Sequence, residues 1–418
     1  MGLGVWGSVI LHFSFFIFHS LFTLPSFPWY NLTMIQPSRK SLEIPPFLVM
    51  EVLEKAKAME AQGIDIVHME VGEPDFDSPP CVIDRARESM SRGETHYTHS
   101  LGRRDLREAL ARWHARRYRT QIDPDTIVVT MGSSPALLLT FLALCDPGDE
   151  VILSNPGYAC YPQIVSFGGG APVLVDVHEA DGFQYRPEKI REKITPRTKA
   201  ILVNSPSNPT GNMIDRARFA EICALGPLVV SDEIYHGLVY GEPAVSAREV
   251  SERTVVVNGF SKLFAMTGWR LGYAIVPPEL ARPMQKMQQN FFISAGDFAQ
   301  VAAIAALEQC DAEVEAMRAE YNRRRIMLLG RCREIGLGVT IDPTGAFYVF
   351  CNVKKFCASC GLDCYDLAFD ILDRAHVAVT PGTDFGPGGE GYLRLSYANS
   401  YENLVEGMNR LEHYFRGK

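Results

Sequence analysis

The chain has 418 residues, of which 47% are hydrophobic and 22% are charged, and its formal net charge is -8 at pH 7. A chain of this length is too long for one small core, so we expect a large α/β domain and a smaller domain. The negative charge argues against a nucleic-acid partner, because such proteins need a basic excess to displace counterions from a phosphate backbone.

The first residues differ in composition from the rest of the chain. Residues 1–38 contain no Asp, Glu, Lys or Arg, and Val5 to Phe22 are mostly apolar. A membrane segment, a secretory signal and a translation start at Met34 are the three alternatives. No basic residue precedes the apolar run and polar residues interrupt it, so it is a poor secretory signal and a marginal membrane span. We favour the start at Met34 and predict that residues 1–33 are not part of the fold, with membrane contact only if this extension is real.

Ten cysteines are scattered along the chain, which is typical of reduced thiols in a cytoplasmic protein. Cys357, Cys360 and Cys364, with Cys351 upstream, are spaced closely enough to suggest zinc or an iron–sulfur cluster. No histidine lies near them and a second cysteine pair is missing, so we favour small apolar and loop residues and predict no metal.

An amphipathic helix is predicted over Phe47 to Gln62, followed by a short strand over Ile64 to Val71. Gly72 then opens a turn in which the missing side chain permits close approach to the backbone. Two further helices are predicted near Val82 to Met90 and over Arg103 to Tyr118.

From Thr126 onward the pattern changes to repeated βα units, which predict a mostly parallel sheet with crossover helices. The first strand, Thr126 to Thr130, precedes a helix predicted over Ala136 to Leu144, with Ser134 as its N-cap and Pro135 in its first turn. Free amides and hydroxyls at this positive helix end would bind a phosphate. Further strands are predicted over Glu150–Leu153, Ala200–Val203, Leu228–Val230 and Thr254–Val257.

Polar or aromatic side chains follow each predicted strand. Open α/β sheets bind ligands at the carboxyl ends of their strands, so we expect these side chains to form one site. Lys262, if held partly out of water, would lose proton affinity and could form a Schiff base with a carbonyl. Together the groups predict a pyridoxal 5'-phosphate site. The residues are Ser133, Ser134, Tyr158, Asn208, Asp232, Tyr235, Ser261, Lys262 and, eight positions later, Arg270.

Eight stretches occur in an order and spacing that are familiar from one family: VGEPDF, YTHSLGRRDLREAL, GSSPA, DPGDEVILSNPGYACYP, NSPSNPTG, VVSDEIY, SKLFAMTGWRLGYA and RLSYA. Through them the chain, from Met34 to its C-terminus, resembles the class I aminotransferases, of the aspartate aminotransferase type within fold type I pyridoxal-phosphate enzymes. The resemblance implies a large domain with a mostly parallel seven-stranded sheet flanked by helices, and a smaller α+β domain.

The resemblance also implies roles around the cofactor. Lys262 resembles the lysine that binds the cofactor covalently and then removes the substrate Cα proton. Asp232 matches the acid that pairs with the pyridine nitrogen, and Tyr235 and Asn208 match the partners of the phenolic oxygen. Tyr158 lies where the family has an aromatic residue over the ring, often tryptophan. The phosphate-binding positions are matched by Ser133, Ser134, Ser261 and Arg270.

Substrate and subunit contacts are implied in the same way. Arg394 matches the arginine that binds the substrate α-carboxylate in a bidentate fork, with Asn208 and Gly72 beside it. Tyr97 resembles the tyrosine that reaches the cofactor phosphate of the neighbouring subunit, which implies a homodimer with shared active sites. His96, His99 and Phe292 are candidates for the side-chain pocket, and no second arginine for a dicarboxylate is evident.

The predicted domains are residues 34–75 as an N-terminal arm and part of the small domain, 76–279 as the large cofactor-binding domain, and 280–418 as the small domain. Within the last range we predict a long helical segment over Met284–Leu329, a strand over Gly345–Val353, a helix over Tyr365–Ala375, a strand over Val377–Thr380 and a last short strand before Arg394.

We therefore expect a cytoplasmic aminotransferase that moves the amino group of an L-amino acid to a 2-oxo acid by a ping-pong mechanism. A lyase of the same fold is the alternative, because elimination follows the same Cα deprotonation. A non-catalytic ligand sensor is less supported, since the N-terminal residues show no helix-turn-helix pattern or basic stripe.

Overall fold

The computed structural model of the protein describes residues 35–416. The chain divides after Pro45 into two compact units. The described part of the first unit contains the helix α1 (Arg39–Glu43), whose N-terminus is capped by the Ser38 side chain. The prediction for residues 1–33 lies outside the described residues.

Twelve strands occur within residues 35–416. They are β1 (Val67–His68), β2 (Ile127–Thr130), β3 (Glu150–Asn155), β4 (Ala171–Asp176), β5 (Thr198–Asn204), β6 (Leu228–Asp232), β7 (Thr254–Gly259), β8 (Gly272–Ile275), β9 (Tyr348–Asn352), β10 (Val377–Ala378), β11 (Thr380–Pro381) and β12 (Tyr392–Ser396).

The same range contains fourteen α-helices. After α1 they are α2 (Leu48–Glu60), α3 (Pro80–Ser91), α4 (Arg104–Tyr118), α5 (Ser133–Leu144), α6 (Tyr161–Phe167), α7 (Pro187–Arg191), α8 (Arg216–Cys223), α9 (Pro278–Phe291), α10 (Asp297–Gln309), α11 (Asp311–Ile335), α12 (Lys354–Cys360), α13 (Cys364–Ala375) and α14 (Tyr401–Arg416).

The central sheet has seven strands in the order β2-β8-β7-β6-β5-β3-β4. All neighbours are parallel except β8, which is antiparallel to both β2 and β7. Successive residues of β2 lie in different hydrophobic clusters, Ile127 and Val129 in one and Val128 in the other, so both faces of the sheet are covered. The predicted α/β fold class with a mostly parallel seven-stranded sheet is confirmed.

Two strands of this sheet were not among the individually predicted strands. β4 is an edge strand with mostly exposed residues, so it has no buried apolar run. β8 is short and begins at Gly272, directly after the loop that carries Lys262 and Arg270. Because β8 runs antiparallel, its beginning lies at the edge where the parallel strands end, which brings Arg270 to that edge.

The smaller sheets correct three predictions. The strand predicted over Ile64–Val71 is limited to β1, which pairs with β10. The strand predicted over Val377–Thr380 is divided between β10 and β11, which belong to different sheets. Arg394 lies inside β12 and not after it, because it pairs with Thr380 of β11 on one side and Phe350 of β9 on the other.

Two helix predictions also change. The segment predicted as helical over Met284–Leu329 contains three helices, α9, α10 and α11, with a break at Ile293, whose φ is 65°. Helix α5 begins at Ser133 and not near Ala136, and its N-cap is Gly132 in place of the predicted Ser134. Gly132 has a φ of 110°, which favours glycine.

Pro46–Lys418 forms one compact unit, and the predicted division of the chain at residues 75 and 279 stays a prediction. No helix within the part of the chain that the structure describes is both long and apolar enough to cross a membrane. All ten cysteines are free, and no group of three or more His, Cys, Asp or Glu within residues 35–416 is placed to bind a metal ion.

Candidate active site

The residues that follow the parallel strands of the central sheet line a cavity of about 210 Å³. Gly72, which follows β1, and Arg394, in β12, close it from the smaller sheets. The predicted site residues that line this cavity are Gly72, Ser133, Ser134, Tyr158, Asn208, Asp232, Tyr235, Lys262 and Arg394.

Lys262 lies in the loop after β7, and its Nζ donates a hydrogen bond of 2.6 Å to the carbonyl oxygen of Gly72. The pKa of Lys262 is lowered to about 8, mainly by burial and also by the nearby charges of Arg394 and Arg270. Glu73 and Asp232 act in the opposite direction. At neutral pH a usable fraction of this amine is therefore uncharged and nucleophilic.

Ser78 fixes the loop that carries Lys262. Its Oγ donates to the carbonyl of Ala265 at 2.8 Å and accepts from Nε1 of Trp269 at 2.9 Å. Ala265 has a φ of 49°, a conformation that an alanine rarely adopts, so these contacts hold a strained turn beside the lysine.

Asp232 is the last residue of β6 and its carboxylate is buried. The hydroxyl of Tyr161 donates to it at 2.8 Å, and the backbone N–H of Ile234 donates at 3.1 Å. The pKa of Asp232 is raised to about 6, because the effect of burial exceeds those of both hydrogen bonds and of the Lys262 charge, which lower it. Asn204, its register partner in β5, donates from Nδ2 to the Asp232 carbonyl at 3.1 Å. A carboxylate of this kind would pair with a protonated ring nitrogen.

Arg394 is buried and held from several sides. It donates from Nη1 to Oδ1 of Asn208 at 2.9 Å, and from Nη2 to Oγ1 of Thr380 at 3.1 Å and to the carbonyl of Glu70. Its guanidinium lies 4.5 Å from the ring centre of Tyr348. The Nε atom has no partner among the described residues, and a buried donor without an acceptor is costly. The guanidinium is thus fixed in place with donor capacity left for an anion.

The N-terminus of α5 is suited to binding an anion. Ser133 and Ser134 form its first turn, and the free amides of a helix N-terminus attract negative charge. A side chain at Gly272 would come within 2.6 Å of the Ser133 amide nitrogen, and one at Gly132 within 2.7 Å of Nη2 of Arg270. The two glycines therefore let β8 and the Arg270 guanidinium approach this helix end.

Three predicted residues do not line the cavity. Ser261 is buried next to Lys262, and Arg270 lies against Gly132 at the helix end. Tyr97 is 81% exposed and is not among the residues that line the cavity. His96, His99 and Phe292, the candidates for the side-chain pocket, are also absent from its lining.

Sequence reasoning missed several lining residues. Tyr161 forms a hydrogen bond with Asp232, and Tyr348 forms one with Tyr235. Phe47, Val49 and Met50, at the start of α2, form an apolar wall of the cavity. The only sequence signal for Tyr161 was its place in one of the recognised stretches. Tyr348 carried no signal, because an aromatic residue in a strand predicts a core position.

Residues 64–411 match the sequence profile of the family described as aminotransferase class I and II. A curated relative, the (5-formylfuran-3-yl)methyl phosphate transaminase of Methanocaldococcus jannaschii, is 41% identical, with 90% of this chain and 99% of the relative covered. The aspartate/prephenate aminotransferase of Thermus thermophilus is 40% identical, with 89% and 97% covered. Among solved structures, the Thermus thermophilus aspartate aminotransferase with maleate has a TM-score of 0.86 at 39% identity, with 91% of this chain and 100% of that chain covered.

Proposed function

The chain belongs to the class I and II aminotransferases, and from this membership we propose that it is a pyridoxal 5'-phosphate-dependent aminotransferase. It would move the amino group of an L-amino acid to a 2-oxo acid by a ping-pong mechanism. The observation that carries the proposal is the meeting of Lys262, Asp232 and Arg394 at one cavity. An amine of lowered pKa, a buried acid and a buried guanidinium are the three groups that this chemistry needs.

The residues present fit the cofactor. The α5 N-terminus with Ser133 and Ser134 would hold the phosphate. Because Gly132 has no side chain, the Arg270 guanidinium can approach this helix end, where its positive charge would also attract the phosphate. Tyr158 would lie against the ring, and Tyr235 and Asn208 would contact the phenolic oxygen. When bound, pyridoxal 5'-phosphate supplies an electron-withdrawing ring that stabilises negative charge on the substrate Cα.

The chain's own side chains would then do three tasks. Lys262 would bind the aldehyde carbon of the cofactor and, once released, would move the proton at the substrate Cα. A pKa near 8 suits this second task, because such an amine can both accept and donate a proton near neutral pH. Asp232 would keep the ring nitrogen protonated through a charge-assisted hydrogen bond. Arg394 would bind the substrate α-carboxylate and so orient the Cα proton.

We also propose a cytoplasmic homodimer with shared active sites. Tyr97 is 81% exposed on a loop of its own subunit, which leaves it free to reach a neighbouring one. Ten free cysteines suit a reducing compartment.

The test is borohydride reduction of the protein after incubation with pyridoxal 5'-phosphate, followed by peptide mapping. We expect one adduct on Lys262, none in Lys262→Ala, and an unchanged adduct in the control Lys199→Ala, whose surface lysine pairs with Asp149. Amino acids should convert the visible absorbance to that of the aminated cofactor, and 2-oxo acids should reverse it. A protein without visible absorbance or adduct would refute the proposal, and release of ammonia and a 2-oxo acid without the aminated form would favour the lyase.

A further inference from the structure

Tyr348, at the start of β9, contacts three residues of the candidate site. Its hydroxyl lies 2.7 Å from the hydroxyl of Tyr235. Its ring face lies 4.5 Å from the Arg394 guanidinium. A side chain added to Gly72 would meet the Tyr348 hydroxyl at 1.9 Å, so this hydroxyl occupies the space that glycine leaves. One side chain therefore joins the elements around the cavity.

The backbone that carries Tyr348 is held firmly. Ala346 has a φ of 57°, in the region that favours glycine. Its carbonyl accepts from the hydroxyls of Tyr240 at 2.6 Å and Tyr397 at 3.2 Å, and its N–H donates to Leu238 at 2.9 Å. A strained residue with three such contacts is overdetermined by its surroundings, as at many functional sites. The fully buried ring of Tyr348 thus has little freedom to move.

We propose that Tyr348 is a positioning residue with two separable roles. It fixes the position of Arg394 in the substrate carboxylate site, and it fixes the direction in which the Tyr235 hydroxyl donates its proton. The aromatic ring holds the Arg394 guanidinium by a cation–π contact. The hydroxyl directs the hydrogen bond of Tyr235. This inference rests on the proposed function of the same cavity.

The direction of the hydrogen bond follows from proton counting. Each tyrosine hydroxyl has one proton to donate. An acceptor in the cavity, such as the phenolic oxygen of the cofactor, takes the proton of Tyr235. Tyr348 must then donate its own proton to the Tyr235 oxygen. Hydrogen bonds in a chain polarise one another, so this donation makes Tyr235 a stronger donor toward the cavity.

Because the ring and the hydroxyl have separate roles, two substitutions of Tyr348 should have different effects. Tyr348→Phe removes the hydroxyl and keeps the ring, so the pH midpoint of the visible absorbance of the cofactor-loaded protein should rise by roughly 0.3 to 1 unit. The rise follows because a weaker donor stabilises the deprotonated chromophore less. The affinity for amino acids, measured by absorbance titration, should change less than about 2-fold. Tyr348→Leu removes both parts and should also weaken amino-acid binding by roughly 3- to 20-fold.

A double-mutant cycle tests whether Tyr348 acts through Tyr235. In a Tyr235→Phe background, Tyr348→Phe should produce no further shift of the midpoint. The control is Tyr185→Phe, which deletes another buried hydroxyl that donates to Leu202 at 3.1 Å outside the cavity, and it should shift nothing.

An unchanged midpoint in Tyr348→Phe, or an equal shift in both backgrounds, would overturn the role of the hydroxyl. Equal amino-acid affinities in the Phe and Leu variants would overturn the role of the ring. If Tyr348→Leu does not fold, Tyr348→Phe and its cycle still decide the role of the hydroxyl, and Tyr348→Met, which also lacks a ring but can adapt its shape to the space, replaces it in the comparison of binding. A wild-type protein that takes up no cofactor would instead refute the proposed function itself.

Discussion

The hydroxyl of Tyr161 donates a hydrogen bond of 2.8 Å to the carboxylate of Asp232, and both side chains are buried. Burial raises the pKa of this carboxyl group, and the bond from Tyr161 opposes the rise, which leaves a pKa of about 6. Tyr161 therefore helps Asp232 to remain ionised at neutral pH, as its proposed pairing with a protonated ring nitrogen requires.

We expect Tyr161→Phe to lower kcat by roughly 10-fold, because one hydrogen bond to an ionised group is lost. The acidic limb of the pH profile of kcat/KM should move to higher pH, since the pKa of Asp232 rises without its donor. Steady-state kinetics from pH 5 to 9 would measure both effects. Tyr365→Phe, which loses a hydroxyl that donates to Glu51 at 3.4 Å away from the cavity, should behave as wild type.

Lys262→Met should stabilise the cofactor-free protein near pH 7, by at most about 3 kcal/mol. The pKa of Lys262 in the folded protein is about 8, below the ordinary lysine value of 10.5, so the unfolded chain binds more protons between these values. The stability of the wild type therefore rises with pH across this range, and the advantage of the variant should disappear above it. Urea unfolding at several pH values would measure this, with Lys199→Met as a surface control. A difference that does not change with pH would contradict the desolvation of Lys262.

Arg394→Lys should lower kcat/KM for amino acids by roughly 10- to 100-fold, mostly through KM. A lysine keeps the charge but loses the planar fork and the stacking on Tyr348. The matched control is Arg323→Lys on α11, whose arginine pairs with Glu320 at the surface and should matter little. An unchanged KM would show that the substrate carboxylate binds elsewhere.

Gly72→Ala should destabilise the protein by about 1–3 kcal/mol, because the added methyl group would collide with the Tyr348 hydroxyl. Activity should fall as well, since Tyr348 must move away from Tyr235. Gly330→Ala in α11 is the control, as nothing lies within 4 Å of its added methyl group. That control should gain about 0.5–1 kcal/mol from its higher helix propensity. Thermal unfolding of both variants would decide the matter.

Shared active sites predict complementation between subunits. A hybrid of Lys262→Ala and Tyr97→Ala subunits contains one site with both Lys262 and the partner subunit's Tyr97 intact, so activity should recover in the mixture. A hybrid of Lys262→Ala and Asp232→Ala has no intact site and should stay inactive. Co-expression with two affinity tags would isolate both hybrids. Equal activity in both hybrids, or activity in neither hybrid, would contradict a tyrosine shared across the interface.

Much of the fold could be predicted because its signals are local. β-branched runs predicted five strands of the central sheet, and the polar residues after them predicted where the cavity lies. Asp232 and Lys262 were identified in this way, since each stands at or just beyond the end of a buried strand. The break near Ile293 and the division of the strand at Val377–Thr380 were missed, because local periodicity does not show where a chain changes its partner.

The sequence by itself determined the mostly parallel sheet and the chemical groups at its edge, because strand periodicity and turn chemistry act over a few neighbouring residues. The family followed from the resemblance of eight stretches to known aminotransferases. Only the tertiary structure decided that Tyr161 bonds to Asp232 and that Tyr348 joins Tyr235 to Arg394. These partners are far apart along the chain, Tyr235 and Tyr348 by 113 positions, and their contacts arise from the packing of separate sheets and helices. No local pattern encodes such a contact, since the same tyrosine would be equally suitable as an ordinary core residue.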